Sequence, residues 1–281
     1  MNDSLVGLLV ALGDDELILG HRHSEWTGHA PHIEEDVAFS SIAQDEIGHA
    51  SALYALAAEI TGNEADRLAL GRRPEEYRHA ILCERPNQDW AFTLARHWLY
   101  DSADAVRLEA LEETTHDGLA ALVRKIRREE RYHLLHADTW IKRVAGGPVE
   151  GRAKLVAAMT EARALARGLF EPFEQEDELN AEGWLPVPSE ELEKRFDERA
   201  GEALEVLGLH APRAAAETRA AEFVASSSGD LIADDESLGQ PHHPASKAGG
   251  LGGRMGKHSP EFAQLHEEMT AQYQGHPGAT W

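Results

Sequence analysis

A chain of 281 residues with 42% apolar content can bury a sizeable core as one large or two modest domains. Its formal net charge of −23 argues against nucleic acid and anionic membranes as partners, and no run of ~18 apolar residues is present to span a bilayer. The lone Cys83 excludes an internal disulfide and fits a reducing cytoplasm.

Ala, Leu, Glu and Arg fill the long segments, and period-two β-branched runs are absent, so the chain reads as all-α. The opening MNDSLVGLLVALGDDE has no basic start and runs straight into acids, so it reads as a first helix, about 3–26, and not as a signal peptide. Gly28 and Pro31 stop it. A second helix is predicted over 33–61, ended by Gly62-Asn63, and a short connection containing GRRPEEYRH follows. A third helix spans about 88–113, TTHDG turns the chain, and a fourth runs over 118–145 to GGP. A fifth covers about 150–174. Pro186 and Pro188 lie in the break before a helix at 189–207, and a further helix is placed at 212–226. Residues 227–257, rich in Ser, Gly and Asp, read as a mobile or extended segment, and 259–273 as a closing amphipathic stretch. The predicted organisation is one helical domain over 1–226, that segment, and a C-terminal helix and tail over 258–281.

The stripes of the four long helices carry the chemistry. The second helix shows Ile42, Glu46, His49, Leu53, Leu56 and Ile60 on one face, and the fourth shows Leu119, Val123, Ile126, Glu130, His133, Ala137, Trp140 and Val144. Each is interrupted at its centre by the pair Glu-x-x-His. The first helix gives Leu5, Leu9, Leu12, Glu16 and Leu19. The third gives Leu94, Trp98, Asp101, Ala105 and Leu108. Glu-x-x-His recurs at Glu76/His79 and Glu113/His116, but those pairs fall in connections and read as coincidence.

Residues equidistant from a hairpin turn lie at one height. Glu16 and Glu46 are centred on residue 31, and Asp101 and Glu130 on TTHDG, so each hairpin levels its carboxylate pair. The hairpins repeat at offsets of 85 and 84 residues (16 to 101, 46 to 130). A single inward Glu or His is usually a satisfied core group. Four level carboxylates with two imidazoles instead match the ligand pattern of di-iron and di-manganese bundles, because two divalent ions cancel the four charges. The predicted ligands are Glu16, Glu46, His49, Asp101, Glu130 and His133, for two iron ions or manganese in their place. Asp104, one turn from Asp101, competes as the ligand of the third helix. His21, His23, His29 and His32 straddle a turn and read as solvated or structural. Arg131 reads as a surface residue and Tyr132 as packing, while Trp98 and Trp140 read as core.

The stretches LGDDELILGHRHSEWTGHAP (12–31), ERPNQDWAFTLARHWLYD (84–101), EERYH (129–133) and the tail GRMGKHSPEFAQLHEEM with its final Pro-Gly-x-x-Trp resemble the phenylacetyl-CoA epoxidase subunit family, and within it the C-type subunits. The resemblance implies a ferritin-like four-helix bundle with additional C-terminal helices. It also implies a place in a multicomponent monooxygenase of aerobic phenylacetate breakdown. In that family an A-type catalytic subunit holds the di-iron centre and epoxidises the ring of phenylacetyl-CoA, a C-type subunit pairs with it as scaffold, and a reductase supplies electrons from NADPH. C-type subunits have generally lost several ligands, whereas all six positions here keep ligand-type residues. The expected roles are scaffold subunit or, alternatively, a competent di-iron oxygenase subunit. Iron storage or peroxide detoxification is a weaker third, because it leaves the C-terminal third unexplained.

Overall fold

The computed structural model describes residues 3–209, 251–276 and 279. Two long hairpins form the centre: α1 (Asp3–Ser24) with α2 (Ile33–Thr61), and α5 (Trp90–Leu111) with α6 (Asp117–Ala145). Each helix ends where local chemistry dictates. Gly62 closes α2 in the left-handed region at φ 71°, its N–H donating to the Ala58 carbonyl at 2.8 Å. Asp89 caps α5 by accepting from the Phe92 N–H at 2.9 Å, and His116 Nδ1 accepts from the Leu119 N–H at the start of α6.

Burial explains which helix is central. On α6 only one stripe is buried, and it contains Leu119, Val123, Ile126, Glu130, His133, Ala137 and Ile141. On α1 almost the whole circumference is buried, including Asp14, Asp15, Glu16 and His23. α1 packs along α2, α5 packs along α6 and α7 (Val149–Ala166), and α2 meets α6, closing the bundle. Among the described residues there is no strand, and no helix is long and apolar enough to cross a membrane.

The connection between the hairpins holds more structure than expected. It contains α3 (Ala65–Leu70), a 3₁₀ turn (Pro74–Glu76) and α4 (Ile81–Glu84), and it buries Tyr77, His79 and residues 80–84. The fifth predicted helix ends as α7 at Ala166 and tightens into a 3₁₀ turn over Arg167–Phe170; α8 (Glu176–Ala181) and α9 (Ser189–Leu207) follow. The helix expected at 212–226, and the extended segment up to residue 250, lie outside the described residues.

Residues 251–257 differ from the expected extended segment. Gly253–Met255 form a 3₁₀ turn, and Arg254 is buried with Nη1 and Nη2 on the Asp15 carboxylate at 3.0 and 2.6 Å. The buried acid of α1 supplies the reason for order that composition does not show. α10 (Pro260–Gly275) then lays Phe262 against Tyr77, ring centroids 5.4 Å apart.

Candidate metal centre

The sequence GDDE on α1 sends three consecutive acids to three places. Asp14 pairs with Arg72 and accepts from Tyr54. Asp15 lies between Arg107 and Arg254. Glu16 turns into the bundle, where it accepts from the Tyr100 hydroxyl at 2.6 Å and from His49 Nδ1 at 3.1 Å.

The structure places all six predicted residues in the buried core. One ligand atom each of Glu16, His49 and Glu130 lies within 4.8 Å of the other two. Glu130 Oε1 lies between the imidazoles, 3.3 Å from His49 Nδ1 and 3.0 Å from His133 Nδ1. Glu46 and Asp101 are close enough for their charges to act on Glu16 and Glu130. A further histidine lies beside each. His23 Nδ1 is 2.9 Å from Glu46, and His97 Nδ1 is 3.2 Å from Asp101. Asp104 faces Arg107 at 2.7 Å and also lines the small cavity beside Glu16, so both competing aspartates border the group.

The outer nitrogens of the two motif histidines are treated alike. His49 Nε2 on α2 donates to Glu129 on α6 at 2.8 Å. His133 Nε2 on α6 donates to Asp45 on α2 at 3.3 Å. Each carboxylate directly precedes the Glu of its own Glu-x-x-His, so the hairpins brace one another reciprocally. A carboxylate can only accept, so each Nε2 carries a proton, as does Nδ1 of His49 where Glu16 accepts from it; both Nδ1 atoms are turned inward, the side from which a metal-bound histidine would present its lone pair.

The group is not satisfied by its own hydrogen bonds. Asp101 Oδ1 and Glu130 Oε2 are buried without a hydrogen-bond partner. Such orphans cost several kcal/mol unless something else occupies their lone pairs. The donor set, four carboxylates and two imidazoles with no thiolate, fits iron or manganese.

Without an ion, protons must balance the charge. Burial opposes the charged ring of His49, but Glu130 and Glu16 outweigh it and push the ring up to about 12. Burial likewise opposes a charge on His133, yet Glu130 drives that ring up to about 10. Burial would raise Glu130, but His133 and His49 hold it well below the usual carboxylate range. Burial raises Glu46 and Asp101, and neighbouring acids reinforce the rise. Burial lowers His97 to about 3 and His23 well below the ordinary range.

Sequence reading missed three histidines. His23, read as solvated or structural, is buried against Glu46. His97 and His136 extend the polar network outward, with His97 Nε2 3.3 Å from His136 Nδ1 and His136 Nε2 donating to Glu35 at 2.8 Å. A signal existed for two of them: His23 lies one heptad beyond Glu16, and His97 one turn before Asp101. Trp98 is core and donates to Asp138, Arg131 is exposed, and Tyr132, expected to pack, is 73% exposed. Glu76 of the third Glu-x-x-His is exposed, whereas its His79 joins a second buried group. There Glu84 accepts from His79 Nε2 at 2.7 Å, His258 Nδ1 at 2.9 Å and the Ser259 N–H at 2.7 Å. Two of these three donors come from the C-terminal segment, so the carboxylate ties that segment to the connection between the hairpins.

Fold and site together define a ferritin-like bundle with a candidate carboxylate–histidine metal group at its core. The family described as "Phenylacetic acid catabolic protein" matches residues 1–223. The chain is 32% identical over 182 residues to the C-type subunit of the 1,2-phenylacetyl-CoA epoxidase of Escherichia coli (strain K12), covering 64% of this chain and 73% of that protein. It is 25% identical over 205 residues to the A-type subunit of the same Escherichia coli enzyme, covering 68% of this chain and 66% of that protein. The chain belongs to the phenylacetic acid catabolic protein family.

Proposed function

We propose that this chain is the C-type subunit of a cytoplasmic phenylacetyl-CoA epoxidase in aerobic phenylacetate catabolism. It serves as structural partner to an A-type subunit on which the ring of phenylacetyl-CoA is epoxidised, with a reductase completing the complex. The observation that carries the scaffold role is the greater identity to the C-type subunit, 32% against 25% for the A-type, and tight packing beside Glu16 agrees with it. The cavity that touches Glu16, lined also by Leu12, Leu53, Asp104, Arg107 and Ile126, has a volume of ≈10 Å³. That is room for about one water and far below the ~300 Å³ that a small-molecule site occupies. Arg107 is the plug. Its guanidinium is buried there between Asp104 and Asp15 and reaches toward the Tyr100 hydroxyl that holds Glu16.

Glu16, Glu46, His49, Asp101, Glu130 and His133 would hold two iron ions, or manganese in their place. When bound, the ions supply positive charge against the carboxylates and, if iron, a redox centre. The chain's own work is to set that geometry: Glu129 and Asp45 fix the rings, Tyr100 fixes Glu16, and the packed core keeps bulk water out. Retention of the full ligand set favours a second reading, in which the chain is itself a di-iron oxygenase subunit that works on an aromatic acyl-CoA.

Metal analysis of the protein produced in iron-rich medium, with turnover assays using a competent reductase, separates the readings. The expected result is about two ions per chain and no phenylacetyl-CoA turnover unless an A-type subunit is present. Turnover by this chain alone would overturn the scaffold role.

A further inference from the structure

While Glu130 and His133 point inward from α6, the opposite face of the same turns carries a different pattern. Arg124, Arg128, Arg131 and Leu135 follow one another at i, i+4, i+7 and i+11, all exposed, and Tyr132 lies beside them. Arg127 joins the group at its edge and is paired with Glu112, the residue that follows α5. The arginines line an open surface depression of ≈480 Å³ with Glu112 as its only acid.

Elsewhere the chain spends its arginines on partners: Arg72, Arg107 and Arg254 are each bound to a buried aspartate. Arg124, Arg128 and Arg131 have none among the described residues, on a chain whose net charge is −23. Like charges at i, i+3 and i, i+4 repel, so the stripe does not serve the helix that carries it. Leu135, 61% exposed, and Tyr132, 73% exposed, continue the stripe with apolar surface that a small anion would not use. A basic stripe continuing into exposed apolar residues fits a protein surface with acidic residues opposite the arginines and apolar ones beyond.

A second copy of this chain fits poorly. A twofold contact would set the arginines against themselves, and a head-to-tail contact with acidic surface elsewhere would build a ring or a filament of this chain alone, leaving no place for the A-type subunit on this face. Resting on the reading of the chain as one component of a heteromeric epoxidase, we propose that the outer face of α6 from Arg124 to Leu135 is the docking surface for the A-type subunit, which meets it with an acidic, partly apolar face. The same helix would then hold the centre on one side and the partner on the other.

The test mixes the purified chain with the A-type subunit of the same organism and measures association by sedimentation at low and high salt. The unmodified pair is expected to associate, more weakly as salt rises. The variant Arg124→Glu/Arg128→Glu/Arg131→Glu should weaken association by roughly 100-fold, and Leu135→Asp should weaken it at high salt as well. Arg195→Glu on α9 should leave it unchanged. All the altered side chains are exposed, so unfolding temperatures should match the parent. Equal association of the triple variant would reject this face and leave the partnership standing. No association of the unmodified pair would reject the partnership and this inference with it. Pyrophosphate binding that the triple variant loses while it still associates would assign the stripe to a small anion instead.

Discussion

Filling the centre with divalent ions must expel protons. In the metal-free protein both nitrogens of His49 face carboxylates, and the ring is pushed up to about 12; His133 is pushed up to about 10. Both are imidazolium at pH 7, so each Nδ1 must give up a proton before it can offer a lone pair. Glu46 and Asp101, raised by burial, add theirs if still protonated. Binding of two Mn(II) is therefore expected to release between ~2 and ~4 protons, with apparent affinity at each ion rising roughly tenfold per pH unit for each proton released there. Anaerobic calorimetry in two buffers of equal pH and different ionisation enthalpy counts those protons directly. At a free concentration 100 times Kd the ions should add about 2.7 kcal/mol of stability, a rise in Tm of roughly 5 °C for a chain of this size. Glu130→Gln, which removes the carboxylate between the two imidazoles, should abolish both the proton release and the rise in Tm. Exposed Glu113→Ala should keep both. Binding heat that is identical in the two buffers, or a Tm indifferent to Mn(II), would refute the reasoning and leave a polar core satisfied by protons alone.

Arg107→Met should cost ~3–5 kcal/mol in urea unfolding, because Asp104 loses its partner and Asp15 loses one of two; adding Asp104→Leu should recover part of the loss. Gly253→Ala would place a Cβ 2.3 Å from the His79 carbonyl oxygen, so it should cost on the order of 2 kcal/mol and speed proteolysis between 251 and 276. Burial, with the charge of His258, lowers His79 to about 4 from an ordinary 6.5, so below pH 6.5 the unfolded chain binds a proton that the folded one does not. Stability should fall from that residue by up to ~1.4 kcal/mol per pH unit between pH 6.5 and 4. Glu84, lowered to about 2 by its histidines against the opposing effect of burial, extends the loss between pH 4.5 and 2. His79→Gln should flatten the upper limb in urea titrations at successive pH values.

What the sequence by itself determined was the set of facing groups on amphipathic helices. α6 has one buried stripe, so its period names Glu130 and His133 as inward. The α2 boundaries, Ile33 and Thr61, are those read from the sequence. Levelling by hairpin turn worked because chain distance and height are locked together in an antiparallel pair. Only the tertiary structure could resolve α1. Its leucine stripe picked out Glu16, but a helix buried on nearly all sides has no solvent face, so nothing local says that Asp14 goes to Arg72 and Asp15 to Arg107 and Arg254. The partners of those acids lie up to 239 residues away, in segments whose composition reads as connection or coil. Reciprocal bracing by Glu129 and Asp45, the plug formed by Arg107, and the recruitment of His23 and His97 are likewise contacts between helices. They depend on how the two hairpins dock, which helical periodicity within each hairpin does not encode.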